Sequence, residues 1–149
     1  MGVLTDALLA ADKRPQVIAD CAKLVDDEVA GKSGVSGILI KAGYKAFTAL
    51  KPTMVPHAVD ALLNDFVRVL DRHYDKYCGD YPDKAKSFDA WATARDQEIA
   101  GDLLGITDDI MSRSSKIAIQ KIYASLRHVA QRNVSDAVPA VARLAMKYL

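Results

Sequence analysis

From Val17 the apolar residues Val17, Ile18, Cys21, Leu24, Val25 and Val29 recur at intervals of three and four. That spacing lays one stripe along a helix. The same periodicity returns along most of the chain. No segment alternates at period two long enough to make a strand, and β-branched runs are short. The pattern predicts an all-α protein, a compact bundle of about six to eight helices.

The elements follow from where the periodicity stops. Residues 3–11 read as a short helix or arm. Asp12 is placed to cap the next helix, with Pro15 in a first turn where its missing N–H has no helical partner. Gly31 ends that helix, and Lys32–Gly37, KSGVSG, is expected to be a turn with Ser36 as the next cap. A third helix spans about Ile38–Leu50. Its apolar residues cover more than one face, so it is expected to be central and buried. Pro52 closes it, and a fourth helix runs about Pro56–Tyr77 with a stripe of Val59, Leu62, Leu63, Phe66, Val67 and Leu70. Cys78–Asp83, CGDYPD, is the strongest loop signal. Ser87 caps a helix from Phe88 that turns Phe88, Trp91, Ala92, Ile99, Leu103 and Leu104 inward, with Gly105 and Thr107 interrupting or restarting it. Ile117–Val129 is the next helix. Ser135 or Asp136 caps the last one, which carries Pro139 near its first turn and runs to Leu149.

The stretch Ile38–Leu70 has a second, fainter copy. A shift of 79 positions sets Ile38 on Ile117, Ile40 on Ile119, Tyr44 on Tyr123, Val55 on Val134, Ala58 on Ala137, Val59 on Val138, Ala61 on Ala140 and Leu70 on Leu149. Upstream, a shift of 81 sets Ile18-Ala19 on Ile99-Ala100, Asp27-Glu28-Val29 on Asp108-Asp109-Ile110 and Lys32-Ser33 on Arg113-Ser114. The two-residue difference falls in a turn, where a deletion costs little. Abundant Ala, Val, Ile and Leu supply some matches by chance. The conserved order of turn, helix, turn, helix favours duplication, giving one domain over 1–149 with halves at approximately 17–77 and 98–149, related by a pseudo-twofold axis.

Composition narrows the function classes. A chain of 149 residues, half of them hydrophobic, suits one domain with a substantial core. A formal charge of +1 with interleaved signs gives no basic stripe, so no nucleic-acid partner is expected. No window reaches the roughly 18 uninterrupted apolar residues of a membrane span. MGVLTDALLAADKR lacks the basic region and long apolar run of a signal peptide, and Asp6 stands where a myristoylation pattern needs Ser or Thr. Cys21 and Cys78 are isolated and are expected to be free thiols of a cytoplasmic protein.

Candidate chemistry is sparse. Gly31-Lys32-Ser33 lacks the upstream glycine and strand of a phosphate-binding loop. The N–H groups of SGVSG offer a weaker anion site, with Lys32 or Lys41 nearby. Among the histidines His57, His73 and His128, His57 has Asp60 three residues on, and Asp71, His73, Asp75 and Cys78 crowd one helix end, but such a charged run is more often a solvated face. It lacks the spacing of a zinc or di-iron motif, so no metal and no cofactor is expected. Asp26-Asp27-Glu28 and Asp108-Asp109 can do acid–base work or bind a divalent cation, or, as the structural reading has it, pair with Lys32 and Arg113 a turn away. Tyr44 and Tyr123 occupy equivalent mid-helix positions. Each is either a core ring whose oxygen reaches the surface or part of a shared pocket wall. No catalytic set can be assembled, and the binding candidates are Lys41, Tyr44 and Tyr123.

KSGVSGILIKAGYKAF, KPTMVPHAVDALLNDF and YPDKAKSFDAW together resemble a family of small uncharacterised helical bacterial proteins, a domain of unknown function. The likeness rests on KSG-[LV]-SG followed by an Ile-Lys pair, matched by Lys32–Gly37 and Ile40-Lys41. It rests also on V-x-x-A-V-x-x-L-L, matched by Val55, Ala58-Val59 and Leu62-Leu63. It covers nearly the whole chain. It implies a bacterial, cytoplasmic, all-α protein and carries over no catalytic residue.

Two function classes follow. One is a non-enzymatic protein acting through protein–protein contact, with a homodimer as one form. It is motivated by the apolar residues Val138, Val141, Leu144, Met146 and Leu149 of the terminal helix. The other is a small-molecule or lipid-binding protein, conceivably an enzyme, with a pocket between the halves lined by Tyr44 and Tyr123. A filled interface would sink the second.

Overall fold

An apolar stripe on a helix is stable only against another apolar surface, and two long helices supply most of that surface here. The computed structural model describes residues 2–149; Met1, the first residue of the expected domain, lies outside them. The described residues form α1 (Val3–Leu8), α2 (Arg14–Ala30), α3 (Gly34–Leu50), α4 (Met54–Asp80), α5 (Phe88–Thr93), α6 (Asp96–Arg113) and α7 (Ile117–Met146), with no strand among them. α4 touches α1, α2, α3, α5 and α6, and α7 touches α2, α3, α5 and α6. The result is an all-α bundle. Among the described residues no helix is long and apolar enough to cross a membrane.

Cross-helix contacts fix the directions. Ser36 Oγ accepts from Asn133 Nδ2 at 3.3 Å, and Gly43 lies against Leu126, so α3 and α7 run antiparallel. The bond from Gln131 Nε2 to the Gln97 carbonyl, with the Tyr123–Asp108 bond at the other end, makes α6 and α7 an antiparallel hairpin.

One end of the bundle is solid. Tyr74, Tyr77, Phe88 and Trp91 form a buried aromatic cluster, with Tyr74 edge-on to Phe88 at 5.0 Å between centroids. The polar tips of Tyr77 and Trp91 find partners, as buried Tyr and Trp usually do. Tyr77 Oη donates to the Lys86 carbonyl at 2.5 Å and Trp91 Nε1 to Asp80 at 2.9 Å. These bonds tie the 81–87 connection between α4 and α5 down. α1 is fastened by the buried Asp71, whose carboxylate accepts from Leu4 N–H (3.2 Å), Thr5 N–H (2.9 Å) and Thr5 Oγ1 (2.6 Å). A carboxylate at a helix start satisfies N–H groups that have no helical acceptor.

Several expected boundaries move. α2 begins at Arg14, with Lys13 rather than Asp12 at the cap position. α3 begins at Gly34 and absorbs most of the expected KSGVSG turn. Gly34 makes the entry with φ of +73°, a conformation that favours glycine, and Ser33 rather than Ser36 stands at the cap position. α4 runs through Cys78 and Gly79 into the expected loop. Ser87 does cap α5, accepting from Ala90 N–H at 3.4 Å, but the helix breaks at Ala94–Arg95 and restarts as α6. α6 then passes Gly105 and Thr107 without interruption.

The largest difference is α7, one continuous helix of 30 residues where two were expected. Ser135 and Asp136 cap nothing, and Pro139 lies inside the helix. An interior proline costs about 3 kcal/mol. Burial of Val138, Ala142 and Ala145 along one face offsets it. The break at Pro52 between α3 and α4 has no counterpart, because the aligned position holds Gln131.

Two expectations about burial also change. α3 is peripheral: only Gly37 is buried in it, while Val35 is 86% and Ile38 72% exposed. Its apolar residues divide between the bundle interior and solvent. Conversely, Asp71–Tyr77 is no solvated face, since Asp71, His73, Tyr74 and Tyr77 are buried while Arg72, Asp75 and Lys76 are exposed.

Candidate functional site

Away from the aromatic end, the two long helices do not close on each other. A cavity of about 400 Å³, partly open to the surface, lies among α2, α3, α4, α6 and α7, with Leu8 of α1 at its edge. Protein interiors are close-packed, and voids larger than a water molecule are few. The largest share of the wall comes from α4, whose stripe from Val55 to Leu70 faces the cavity along several turns. α2 adds Val17, Cys21, Leu24 and Val25, and α7 adds Val134, Val141 and Leu144. Leu144 and Val141, read from the sequence as a docking face, therefore point inward, while Val138 is buried in the core.

Only four lining residues carry a side-chain polar atom: Cys21, Tyr44, Thr107 and Tyr123. No Lys, Arg, His, Asp or Glu lines the cavity. Tyr44 and Tyr123 thus stand where the pocket reading puts them. Lys41 does not; it is exposed on α3 and away from the cavity wall.

Each tyrosine combines the two expected roles. Its ring faces the cavity and its hydroxyl reaches an acid on the preceding helix. Tyr44 Oη donates to Asp26 of α2. Tyr123 Oη donates to Asp108 of α6 at 2.5 Å and lies 2.7 Å from Thr107 Oγ1. Arg127 closes on the same carboxylate at 2.8 and 3.0 Å. The Arg127 guanidinium, and then the Tyr123 hydroxyl, hold the Asp108 carboxyl below the usual carboxylate range. Burial, and then the bond to Asp108, push the Tyr123 hydroxyl up. Burial, with Asp20 nearby, pushes the Cys21 thiol up to about 11. All three side chains are thereby held in one protonation state at neutral pH.

The remaining candidates lie elsewhere. Lys32 pairs with Asp136 of α7 at 3.7 Å rather than with the acids of α2, and Lys23 takes Asp27 at 2.8 Å. Arg113 does pair with Asp109, at 2.6 Å. The anion reading of SGVSG loses its cations, Lys32 to Asp136 and Lys41 to the open face. Cys21 and Cys78 are free thiols. His57 and His128 are exposed.

His73, Glu98 and Asp102 each bring one ligand atom to within 4.8 Å of the others. Metal chemistry fits this trio poorly. His73 Nε2 is 2.7 Å from Asp102, and its Nδ1 is buried without a partner among the described residues. The Nε2–H therefore donates to Asp102. A metal on Nε2 would force the proton onto Nδ1, where nothing accepts it, whereas metal-bound histidines regularly donate that second N–H.

Sequence reading missed Thr107 and Arg127. One signal was available. Asp108 and Tyr123 are nearly equidistant from the Ser114–Lys116 turn, so a tight α6–α7 hairpin brings them level. For Thr107 the hydroxyl bond is visible only once the helices are placed.

Fold and cavity define a helical bundle with an apolar chamber lined by two tyrosines. The chain belongs to the family of unknown function DUF6918, whose sequence pattern matches residues 4–149. No curated protein and no solved structure matches the chain.

Proposed function

We propose that this protein binds a small apolar molecule of the lipid class in the chamber between its two helical halves. The observation that carries the reading is the cavity itself: about 400 Å³, walled almost entirely by hydrocarbon. That volume falls within the roughly 300–1,000 Å³ of small-molecule sites. An enclosed empty cavity costs about 24 cal/mol per Å³, on the order of 10 kcal/mol here as an upper bound. Domains of this kind are stable by only about 5–15 kcal/mol. A hollow of this size is consistent with selection for an occupant.

The halves, residues 17–77 and 98–149, are in this reading repeats around the chamber. The support is local and similar in kind, although the acids differ in register, since the shift of 81 sets Asp27 rather than Asp26 on Asp108. Each contributes a tyrosine, Tyr44 or Tyr123, and each tyrosine bonds an acid of the helix before it, Asp26 or Asp108. The wall carries no nucleophile–base pair, so the reading is of a binding protein rather than an enzyme.

The test is saturable binding of the uncharged dye Nile red, with Ala58→Phe as the block. Ala58 lines the cavity, and a phenyl ring there fills part of it. Dye fluorescence should rise to a one-to-one endpoint in the parent, and Ala58→Phe should abolish that rise with an unchanged or higher melting temperature. No saturable binding in the parent, together with a destabilised Ala58→Phe, would mean that the chamber is closed in solution.

One observation favours a second reading, contact with another copy or a partner protein in the cytoplasm. Val35, Ile38 and Ile117 are 86%, 72% and 65% exposed. Ultracentrifugation decides it: a monomer whose sedimentation is unchanged by Ile38→Lys removes the self-association form.

A further inference from the structure

The polar atoms of the chamber can be accounted for proton by proton. A tyrosine hydroxyl has one hydrogen to donate and lone pairs to accept with, and a carboxylate only accepts. Tyr123 faces the Asp108 carboxylate at 2.5 Å, so its hydrogen is committed there. Thr107 Oγ1 is 2.7 Å from Tyr123 Oη and 3.0 Å from the Leu104 carbonyl oxygen. The carbonyl cannot donate and Tyr123 has no hydrogen left, so the single Thr107 hydrogen goes to one of these two oxygens. On the neighbouring helix α3, Tyr44 donates to Asp26. No oxygen on the wall has a hydrogen to offer. The Cys21 thiol is a weak donor only.

Charge points the same way. No cationic side chain lines the cavity. Arg127 is engaged with Asp108 through both Nε and Nη2. Asp26 has no cation within salt-bridge distance among the described residues. The groups behind the tyrosines are therefore acceptors, and their net charge is negative.

We propose that the chamber selects an uncharged apolar molecule carrying a hydroxyl, seated with that hydroxyl against Tyr123 and Thr107, and rejects the corresponding carboxylate. The inference rests on the chamber being a ligand site. A hydroxyl brings the hydrogen that the wall lacks. A carboxylate brings only lone pairs, leaves its hydration behind, finds no donor on the wall and has the uncompensated charge of Asp26 behind Tyr44. A plain alkane fits the hydrocarbon wall but brings no hydrogen for the acceptor left over there, Thr107 Oγ1 when its own hydrogen goes to Tyr123.

Displacement of Nile red from the full chain by dodecane, 1-dodecanol and dodecanoate at about pH 8 tests this. The alcohol should compete at least roughly tenfold better than the carboxylate, and several-fold better than the alkane, as expected for one buried hydrogen bond against one unpaired charge. Tyr123→Phe should lower the alcohol's affinity while leaving the alkane's unchanged, a ratio that loss of packing alone would not move. Asp108→Asn introduces an N–H at the site and should narrow the gap between carboxylate and alcohol, and it serves if Tyr123→Phe does not fold. A carboxylate that competes as well as the alcohol overturns the selectivity and leaves the chamber standing. Failure of Nile red to bind the parent removes the chamber reading, and this inference with it.

Discussion

Tyr123 and Asp108 meet at 2.5 Å across the α6–α7 hairpin, and that bond joins the chamber wall to the surface. The ring belongs to the cavity, and the carboxylate, with Arg127 on its other side, to the half-exposed rim. One contact thus sets the hairpin register and decides what the chamber can offer a ligand.

Acid should loosen the bundle through a similar site at the C-terminal end of α7. Asp20 of α2 accepts from Lys147 at 2.8 Å and from Tyr148 at 2.5 Å. The Lys147 bond, then the Tyr148 bond, hold its carboxyl below the usual range. A carboxylate depressed in the fold adds stability that is complete above its unfolded value, about 3.9, and is lost as pH falls through the folded value. The Asp20→Asn variant should therefore be less stable than the parent near about pH 7, with the gap closing toward about pH 3. Urea titrations followed by Trp91, the single tryptophan, give the comparison. An equal gap at both pH values would mean that Asp20 acts by shape alone.

Asp71 is the buried fastening of α1. Replacing it with alanine leaves two backbone N–H groups and the Thr5 hydroxyl without their acceptor. Charge-assisted bonds of this kind put the expected loss at about 2–4 kcal/mol. Hydrogen exchange should then rise through residues 3–9 while the α6–α7 hairpin stays protected. Because Leu8 borders the cavity, Nile red affinity should fall as well. Protection of α1 unchanged in Asp71→Ala would show that Leu4 and Leu8 hold it without the carboxylate.

The helical class and the inward set Phe88, Trp91, Ala92, Ile99, Leu103 and Leu104 were legible in the sequence, because 3.6-residue periodicity records which face is buried. Tyr44 and Tyr123, which a shift of 79 sets on each other in the sequence, both line the cavity. Periodicity cannot say whether facing stripes close on each other, so a chamber and a filled core looked alike. It also treats all apolar residues alike. The apolar residues of Ile38–Leu50 cover more than one face and so suggest a central helix, yet Ile38 faces solvent, as does Val35 in the turn ahead that α3 absorbs. Lys41 stands close to KSGVSG in the sequence, but most of that stretch is part of α3 and Lys41 is exposed. Pro139 was placed in a first turn by local cost, and the burial that outweighs that cost depends on tertiary packing.

Cys21 should behave as a gauge of the chamber. Its thiol lies on the wall, and burial pushes it up to about 11, so the reactive thiolate is scarce at about pH 8. N-ethylmaleimide should modify Cys78 first, with Cys21 slower by about tenfold or more. Nile red should slow Cys21 further and leave Cys78 unaffected. Peptide mass spectrometry resolves the two sites. Cys21 reacting as fast as Cys78 in the folded protein would mean that the wall around it opens readily.

Gly37 and Gly105 make opposite predictions for the same substitution. Both lie inside helices, where alanine is favoured over glycine by about 1 kcal/mol. At Gly105 a Cβ meets nothing within 4 Å. Gly105→Ala should therefore stabilise by up to about that amount. At Gly37 a Cβ would sit 2.8 Å from the Lys32 carbonyl carbon and 3.1 Å from its oxygen. Those are backbone atoms and cannot rotate aside. The α2–α3 connection would have to move, and with it the Lys32–Asp136 pair that ties it to α7. Overpacking of this kind costs about 1–3 kcal/mol, so Gly37→Ala should be a net loss. Thermal unfolding of the two variants beside the parent gives the signs directly. If both shifts are upward, α3 does not start as tightly against Lys32 as the contact requires, and the wall that carries Tyr44 is set more loosely than the hydrogen bond to Asp26 implies.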